Sequence, residues 1–157
     1  MSKYDELSKA LSTLQAQQHQ YWSKLEAVYS TIANQYASYL GVSDITVKLN
    51  GEISSPIVTG SRDATKNTVI NTPAPLLKRK DKSLIFDISI LLCPEGSYDV
   101  VLPFLLQANI KRNGDEYHLE APELEIKVIC YEVDGRVDFT SFFDRIQLIL
   151  MKKLASS

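Results

Sequence analysis

The chain has 157 residues, of which 45% are hydrophobic and 23% charged, and its formal net charge at pH 7 is −2. This composition excludes a disordered chain, and no apolar run reaches the ~20 residues that a membrane-spanning helix needs. A near-neutral charge argues against generic nucleic-acid binding. The first residues carry no apolar signal region, so we expect a cytoplasmic protein without a membrane anchor. Two cysteines, Cys93 and Cys130, are expected to be reduced thiols rather than a disulfide framework.

The first forty residues carry the strongest pattern in the sequence. No Gly or Pro occurs between Ser2 and Leu40, and Gly41 follows where a left-handed helix cap is typical. Apolar residues recur at helical spacing, which predicts an amphipathic helix. The stripe comprises Tyr4, Leu7, Leu11, Leu14, Trp22, Leu25, Tyr29, Ile32, Tyr36 and Leu40.

The length of this predicted helix is unusual for a chain of this size. About 39 helical residues would span roughly 58 Å, whereas a compact chain of this length has a diameter of roughly 40 Å. The helix must therefore break, or its end must pack against something outside the domain. Residues 15–20 lack a large apolar side chain, so we expect either a break or a solvent-exposed crossing there.

Alternating apolar and polar residues after Gly41 predict strands. Asn50-Gly51 predicts either a two-residue turn or a bulge. Asn113-Gly114 predicts a hairpin turn that places Ile110 opposite Tyr117. The predicted strands lie at 45–53, 84–92, 100–111, 116–121 and 124–133, with a short one possible at 68–71.

The order of elements predicts an α+β fold. It has a long N-terminal helix, four to five mostly antiparallel strands in a meander-like sheet, and a C-terminal helix. We expect one domain over 1–157. Its parts are a helical segment at 1–40, a sheet at 41–137 with an irregular loop at 54–82, and a C-terminal helix at 138–157.

The sequence offers little catalytic chemistry. It contains no spacing typical of a metal site, no phosphate-binding loop and no nucleophile motif, so we assign no catalytic residue, metal or cofactor. Asp87 lies within an apolar strand and would need a partner or a proton if buried. Asp87 and His118 are the polar residues that a ligand-binding cup in the sheet would use.

Two further clusters suggest binding. Five aromatic residues fall within the predicted helix between positions 21 and 39, more than a core face needs, and Tyr and Trp are enriched at interfaces. They are Tyr21, Trp22, Tyr29, Tyr36 and Tyr39. A basic run could instead bind an anion. It comprises Lys78, Arg79, Lys80 and Lys82.

Three functions are compatible with these features. The favoured one is a non-enzymatic protein–protein interaction or assembly subunit (an adaptor, a chaperone-like factor or an immunity-type protein), acting through the long helix as a homo-oligomer or in a complex. The second is a small-ligand-binding cup, which could be an enzyme. The third is anion or nucleic-acid binding through residues 78–82.

Overall fold

The computed structural model describes residues 2–63, 65 and 67–156. It confirms the α+β class, with a long first helix, a mostly antiparallel sheet and a C-terminal helix, although the strands outnumber the predicted four to five. The helices are α1 (Lys3–Tyr29), α2 (Ile32–Leu40) and α3 (Thr140–Ala155). The strands are β1 (Val47–Leu49), β2 (Glu52–Ser54), β3 (Ile57–Asp63), β4 (Thr68–Asn71), β5 (Lys78–Lys80), β6 (Ser83–Leu92), β7 (Leu102–Asn113), β8 (Glu116–Ala121), β9 (Ile126–Val133) and β10 (Arg136–Val137).

The first helix is interrupted at Ser30 and Thr31, so of the two alternatives for residues 15–20 the break is wrong and the solvent-exposed crossing is correct. Residues 15–20 are exposed to solvent, and a helix there needs no apolar side chain. At the actual break, the hydroxyl groups of Ser30 and Thr31 donate to the carbonyls of Glu26 and Val28. Gly41 ends α2 in the left-handed conformation, with φ 75°. None of the helices in the described residues is long and apolar enough to cross a bilayer.

The main sheet has the order β10-β9-β8-β7-β6-β3-β4, and β5 pairs with the start of β6. Neighbouring strands are antiparallel. The strands β1 and β2 form a separate hairpin in which Leu49 pairs with Glu52. Its turn residues Asn50 and Gly51 both have positive φ, which is the two-residue type I′ turn rather than a bulge.

The segment 54–82 is not one irregular loop, because it contributes β3, β4 and β5. The short strand predicted around 68–71 is confirmed as β4. Gly60 of β3 permits this arrangement, since a Cβ atom there would collide with the carbonyl oxygen of Ile70. Periodicity did not predict β3 and β5, because β3 is interrupted by polar residues and β5 is short and fully charged.

The hairpin between β7 and β8 is present, but its predicted register is wrong. Ile110 pairs with Leu119 rather than Tyr117, and the turn residues are Gly114 and Asp115. Gly114 has φ 62° at the first turn position, which suits the twist of the two strands. Because each pairing moves by two positions, Ile110 and Tyr117 keep their face and are buried.

The helices cover one face of the sheet and enclose the core. Phe86 of β6 contacts Tyr29 of α1, with ring centroids 5.1 Å apart. Phe143 of α3 stacks on Tyr36 of α2, with ring centroids 4.4 Å apart. Apolar side chains of β6, β7 and β8 complete this cluster. The C-terminal part of α1 therefore belongs to the core, and this fixes the direction in which the rest of α1 points.

Candidate interaction surface

The helix α1 divides into two parts with different surroundings. We call Lys3–Gln20 the tip and Tyr21–Tyr29 the base, and we call the sheet with α2 and α3 the body. Every residue of the tip is exposed, whereas Leu25 and Tyr29 of the base are buried. At about 1.5 Å per residue the tip is roughly 27 Å long. It therefore extends from the body as a helix covered by solvent.

The tip carries a row of exposed apolar side chains. Tyr4, Leu7, Leu11 and Leu14 are 76%, 69%, 55% and 49% exposed. Their spacing of three and four residues places them on one side of the helix. Single exposed apolar residues are ordinary, but a contiguous row marks an interaction site. We call this row the tip stripe.

Local interactions favour the helical conformation of the tip. Ser2 and Asp5 form a capping box, in which the Ser2 Oγ accepts from the Asp5 N–H at 3.1 Å. The Ser2 N–H donates back to the Asp5 carboxylate at 3.4 Å. Asp5 and Glu6 also lie in the first turn, where negative charge suits the helix dipole. Isolated helices of this length are nevertheless marginal in water, so a partner would stabilise the tip.

The base is held against the sheet by polar contacts as well as by the core. The Tyr21 hydroxyl donates to the Lys82 carbonyl at 2.5 Å and accepts from the Arg112 N–H at 3.1 Å. The Arg79 guanidinium lies 4.2 Å from the centre of the Trp22 ring and forms a 2.7 Å ion pair with Glu26. These contacts set the angle at which the tip leaves the body.

The structure packs the five predicted partner-binding aromatic residues against the body. Tyr21 and Trp22 are half-buried in the contacts just described, and Tyr29 and Tyr36 are buried. Burial raises the pKa of the Tyr36 hydroxyl. Tyr39 is half-buried and donates to Asp144 at 2.6 Å, which raises its pKa. The exposed stripe lies earlier in the same helix, at residues that sequence analysis counted as helix but not as a site.

The basic run is divided between the two faces of the sheet. In β5, Lys78 lines a cavity beside Asp87, while Arg79 turns to the opposite face and contacts α1. Lys80 and Lys82 are exposed. The four cations therefore do not form one anion site, and of the last two Lys82 contacts α1 through its backbone carbonyl, which accepts from the Tyr21 hydroxyl.

Asp87 is nearly buried, with 8% exposure. Its carboxylate accepts from the Arg62 N–H at 3.1 Å and lies 3.7 Å from Arg62 Nε. Burial raises the pKa of Asp87, and the contacts with Arg62 oppose that rise. The adjoining cavity of about 190 Å³ is small compared with the ~300–1,000 Å³ typical of ligand pockets. The residues that line it are Ser61, Arg62, Lys78, Ile85, Asp87, Gln107 and Glu123.

His118 is not part of that cavity. It lies on β8, where its Nε2 is 3.2 Å from the Glu116 carboxylate. The structure therefore does not bring Asp87 and His118 together as the polar groups of one cup.

Thiol and metal chemistry also receive little support. Burial raises the pKa of Cys130 to about 11, so this thiol stays protonated at neutral pH, and Cys93 is half-buried. Among the described residues, no group of three His, Cys, Asp or Glu side chains could hold a metal ion. Comparisons with protein-family models, curated proteins and solved structures found no match.

Proposed function

We propose that the protein is a non-enzymatic interaction or assembly subunit that binds a partner helix through its tip. The observation that carries the proposal is the tip stripe, an exposed apolar row on a helix whose base is fixed to the sheet. Covering apolar surface contributes about 25 cal/mol per Å². A partner would therefore gain from the stripe and stabilise the tip helix at the same time.

The spacing of the stripe favours another helix as the partner. Tyr4, Leu7, Leu11 and Leu14 follow alternating steps of three and four, and Gln18 continues the series. This is the heptad spacing of a coiled-coil seam, in which each side chain enters a hole between side chains of the opposing helix. A helix with a similar seam matches it better than a flat surface does.

Asp87 has a structural explanation that does not require a ligand. The pairing of β3 with β6 ends at Gly60, opposite Asp87, after which β3 continues its pairing with β4. The Asp87 carboxylate accepts from the N–H of Arg62, two residues after Gly60, which would otherwise lack a partner in β6. The ligand-cup hypothesis therefore has less support than the interaction hypothesis.

Site-specific photo-crosslinking in cells tests the proposal. Leu7 is replaced by p-benzoylphenylalanine, and a matched control carries the same group at Leu148, which is 54% exposed on α3. We expect irradiation to give one defined protein adduct from position 7 and none from position 148. If position 7, and position 11 in a second variant that carries the same group at Leu11, both react no more than the control, the tip is not a binding surface.

A further inference from the structure

We infer that the partner of the tip is a second copy of this chain, and that the two tips pair antiparallel. This inference rests on the proposed function of the tip. It assigns a two-fold axis to the middle of the seam, between Leu11 and Leu14. The position of the body excludes parallel pairing, the heptad pattern gives the register, and the charges are compatible with the pair that results.

The orientation follows from the position of the body relative to the stripe. The stripe continues from Leu14 into the base, where Leu25 and Tyr29 face the sheet. The body therefore lies on the same side of α1 as the tip stripe. Two parallel tips that met stripe to stripe would bring both bodies into the space between the helices. Antiparallel tips instead place each body at the N-terminal end of the other tip.

The register follows from the heptad pattern. In an antiparallel pair, each position of one heptad type lies opposite the other type. Leu11 then faces the partner's Leu14, and the symmetry repeats this contact, which groups four leucines at the centre. Leu7 faces the partner's Gln18, and Tyr4 faces the partner's Tyr21. A shift by one heptad, with Leu7 facing the partner's Leu11 and Tyr4 facing the partner's Leu14, would pair the same apolar side chains but would move Glu6 away from the partner's base. The charge-reversal experiment below therefore distinguishes the two registers.

The charges match this arrangement. Within the tip, Lys3 and Lys9 balance Asp5 and Glu6, so two tips carry no net repulsion. The acidic pair lies near the N-terminal end of the tip, which the register places beside the partner's base. There the turn from β5 to β6 exposes Lys82, whose carbonyl accepts from the Tyr21 hydroxyl. Acidic and basic groups therefore meet at both ends of the pair.

The area of the seam indicates a modest affinity. Two Tyr4 side chains at roughly 150–250 Å² each and six leucines at roughly 60–120 Å² each bring the apolar burial to about 1,000 Å². About 1,000 Å² is the lower limit for a specific interface. We therefore expect a dimer that dissociates on dilution.

Light scattering after size exclusion, over a wide concentration range, tests self-pairing. We expect the wild-type chain to change from monomer to dimer as its concentration rises. The variant Leu7→Glu/Leu11→Glu should remain monomeric, with an unchanged urea-unfolding midpoint for the sheet and the helices packed on it. The control Leu148→Glu/Met151→Glu removes two exposed apolar residues of α3 and should dimerise like the wild type. A wild-type chain that stays monomeric would overturn self-pairing.

Charge reversal tests the antiparallel register. Glu6 is chosen because Asp5 belongs to the capping box. We expect Glu6→Lys alone, or Lys82→Glu alone, to raise the dimer Kd about fivefold to tenfold at low salt, since each contact occurs twice. The double variant Glu6→Lys/Lys82→Glu should return close to the wild-type Kd. A dimer that shows no such rescue has another register or orientation.

These experiments separate the two proposals. A crosslinked adduct at position 7 together with a monomeric purified chain would leave the tip as a binding surface and remove the second copy as its partner. Absence of both the adduct and the dimer would remove the interaction function as well. A single adduct at twice the chain mass would support both.

Discussion

The tip and base of α1 share one helix and one apolar stripe, yet their surroundings are opposite. Leu25 in the base is fully buried, whereas Leu11 in the tip is 55% exposed. A periodic apolar pattern thus indicates which side of a helix carries the apolar side chains. It does not indicate whether those side chains pack against the rest of the same chain. The distinction depends on how far the sheet extends beneath the helix.

Substitutions at matched positions should show the largest difference between these two parts. Leu25→Ala removes a buried side chain and should lower the free energy of unfolding by about 2–5 kcal/mol. Leu11→Ala should change it by less than about 0.5 kcal/mol, because its side chain contacts no core. Urea unfolding of dilute, monomeric protein measures both. Equal losses for the two variants would mean that the tip packs on the body.

The contacts of Arg79 should contribute less than the core but enough to measure. Arg79→Ala removes the ion pair with Glu26 and the contact with the Trp22 ring. Because the Arg79 side chain is 41% exposed, we expect a loss of only about 1 kcal/mol. Amide exchange at residues 21–26 should accelerate with it. Lys80→Ala, one position along β5, is the control and should leave both measurements unchanged.

The fold class followed from the sequence because its main signals are long and periodic. The alternation in β6 and β7 and the apolar stripes of α1 and α3 predicted elements that the structure contains. Strands β3 and β5 were missed because their pairing depends on close backbone approach at Gly60 and on charged side chains rather than on alternation. The hairpin between β7 and β8 shows a second limit of the sequence analysis. The structure places Gly114 at the first turn position, with φ 62°, whereas the sequence favoured Asn113 there.

The candidate surface was predictable only in part. The sequence identified α1 as too long for its domain, and this length is why the tip extends beyond the sheet. It directed attention to the aromatic residues of the base, because Tyr and Trp are typical of interfaces. Tyr29 and Tyr36 instead fill the core. Long-range contacts, such as the hydrogen bond from the Tyr21 hydroxyl to the Lys82 carbonyl, determine which turns of the helix lie over the sheet. The periodicity of the sequence does not predict such contacts.

The smallest effect on stability that we expect comes from Asp87, which lies on the face of the sheet opposite the helices. Burial raises the pKa of Asp87, against the opposing contacts with Arg62. The folded protein therefore binds this proton more tightly than the unfolded chain does. The contribution of Asp87 to stability is then most favourable below its ordinary pKa of 3.8 and declines as the pH rises through the folded value.

Asp87→Asn removes this titration and keeps an oxygen that can accept from the Arg62 N–H. We expect the wild type to lose stability relative to the variant as the pH rises above about 4, and the difference to level off once Asp87 is ionised. Urea unfolding at a series of pH values measures this difference. A difference that does not vary with pH would show that the proton affinity of Asp87 is the same in both states. The dimer Kd of the variant should equal that of the wild type, because Asp87 lies away from α1, and this separates the chemistry of the body from binding at the tip.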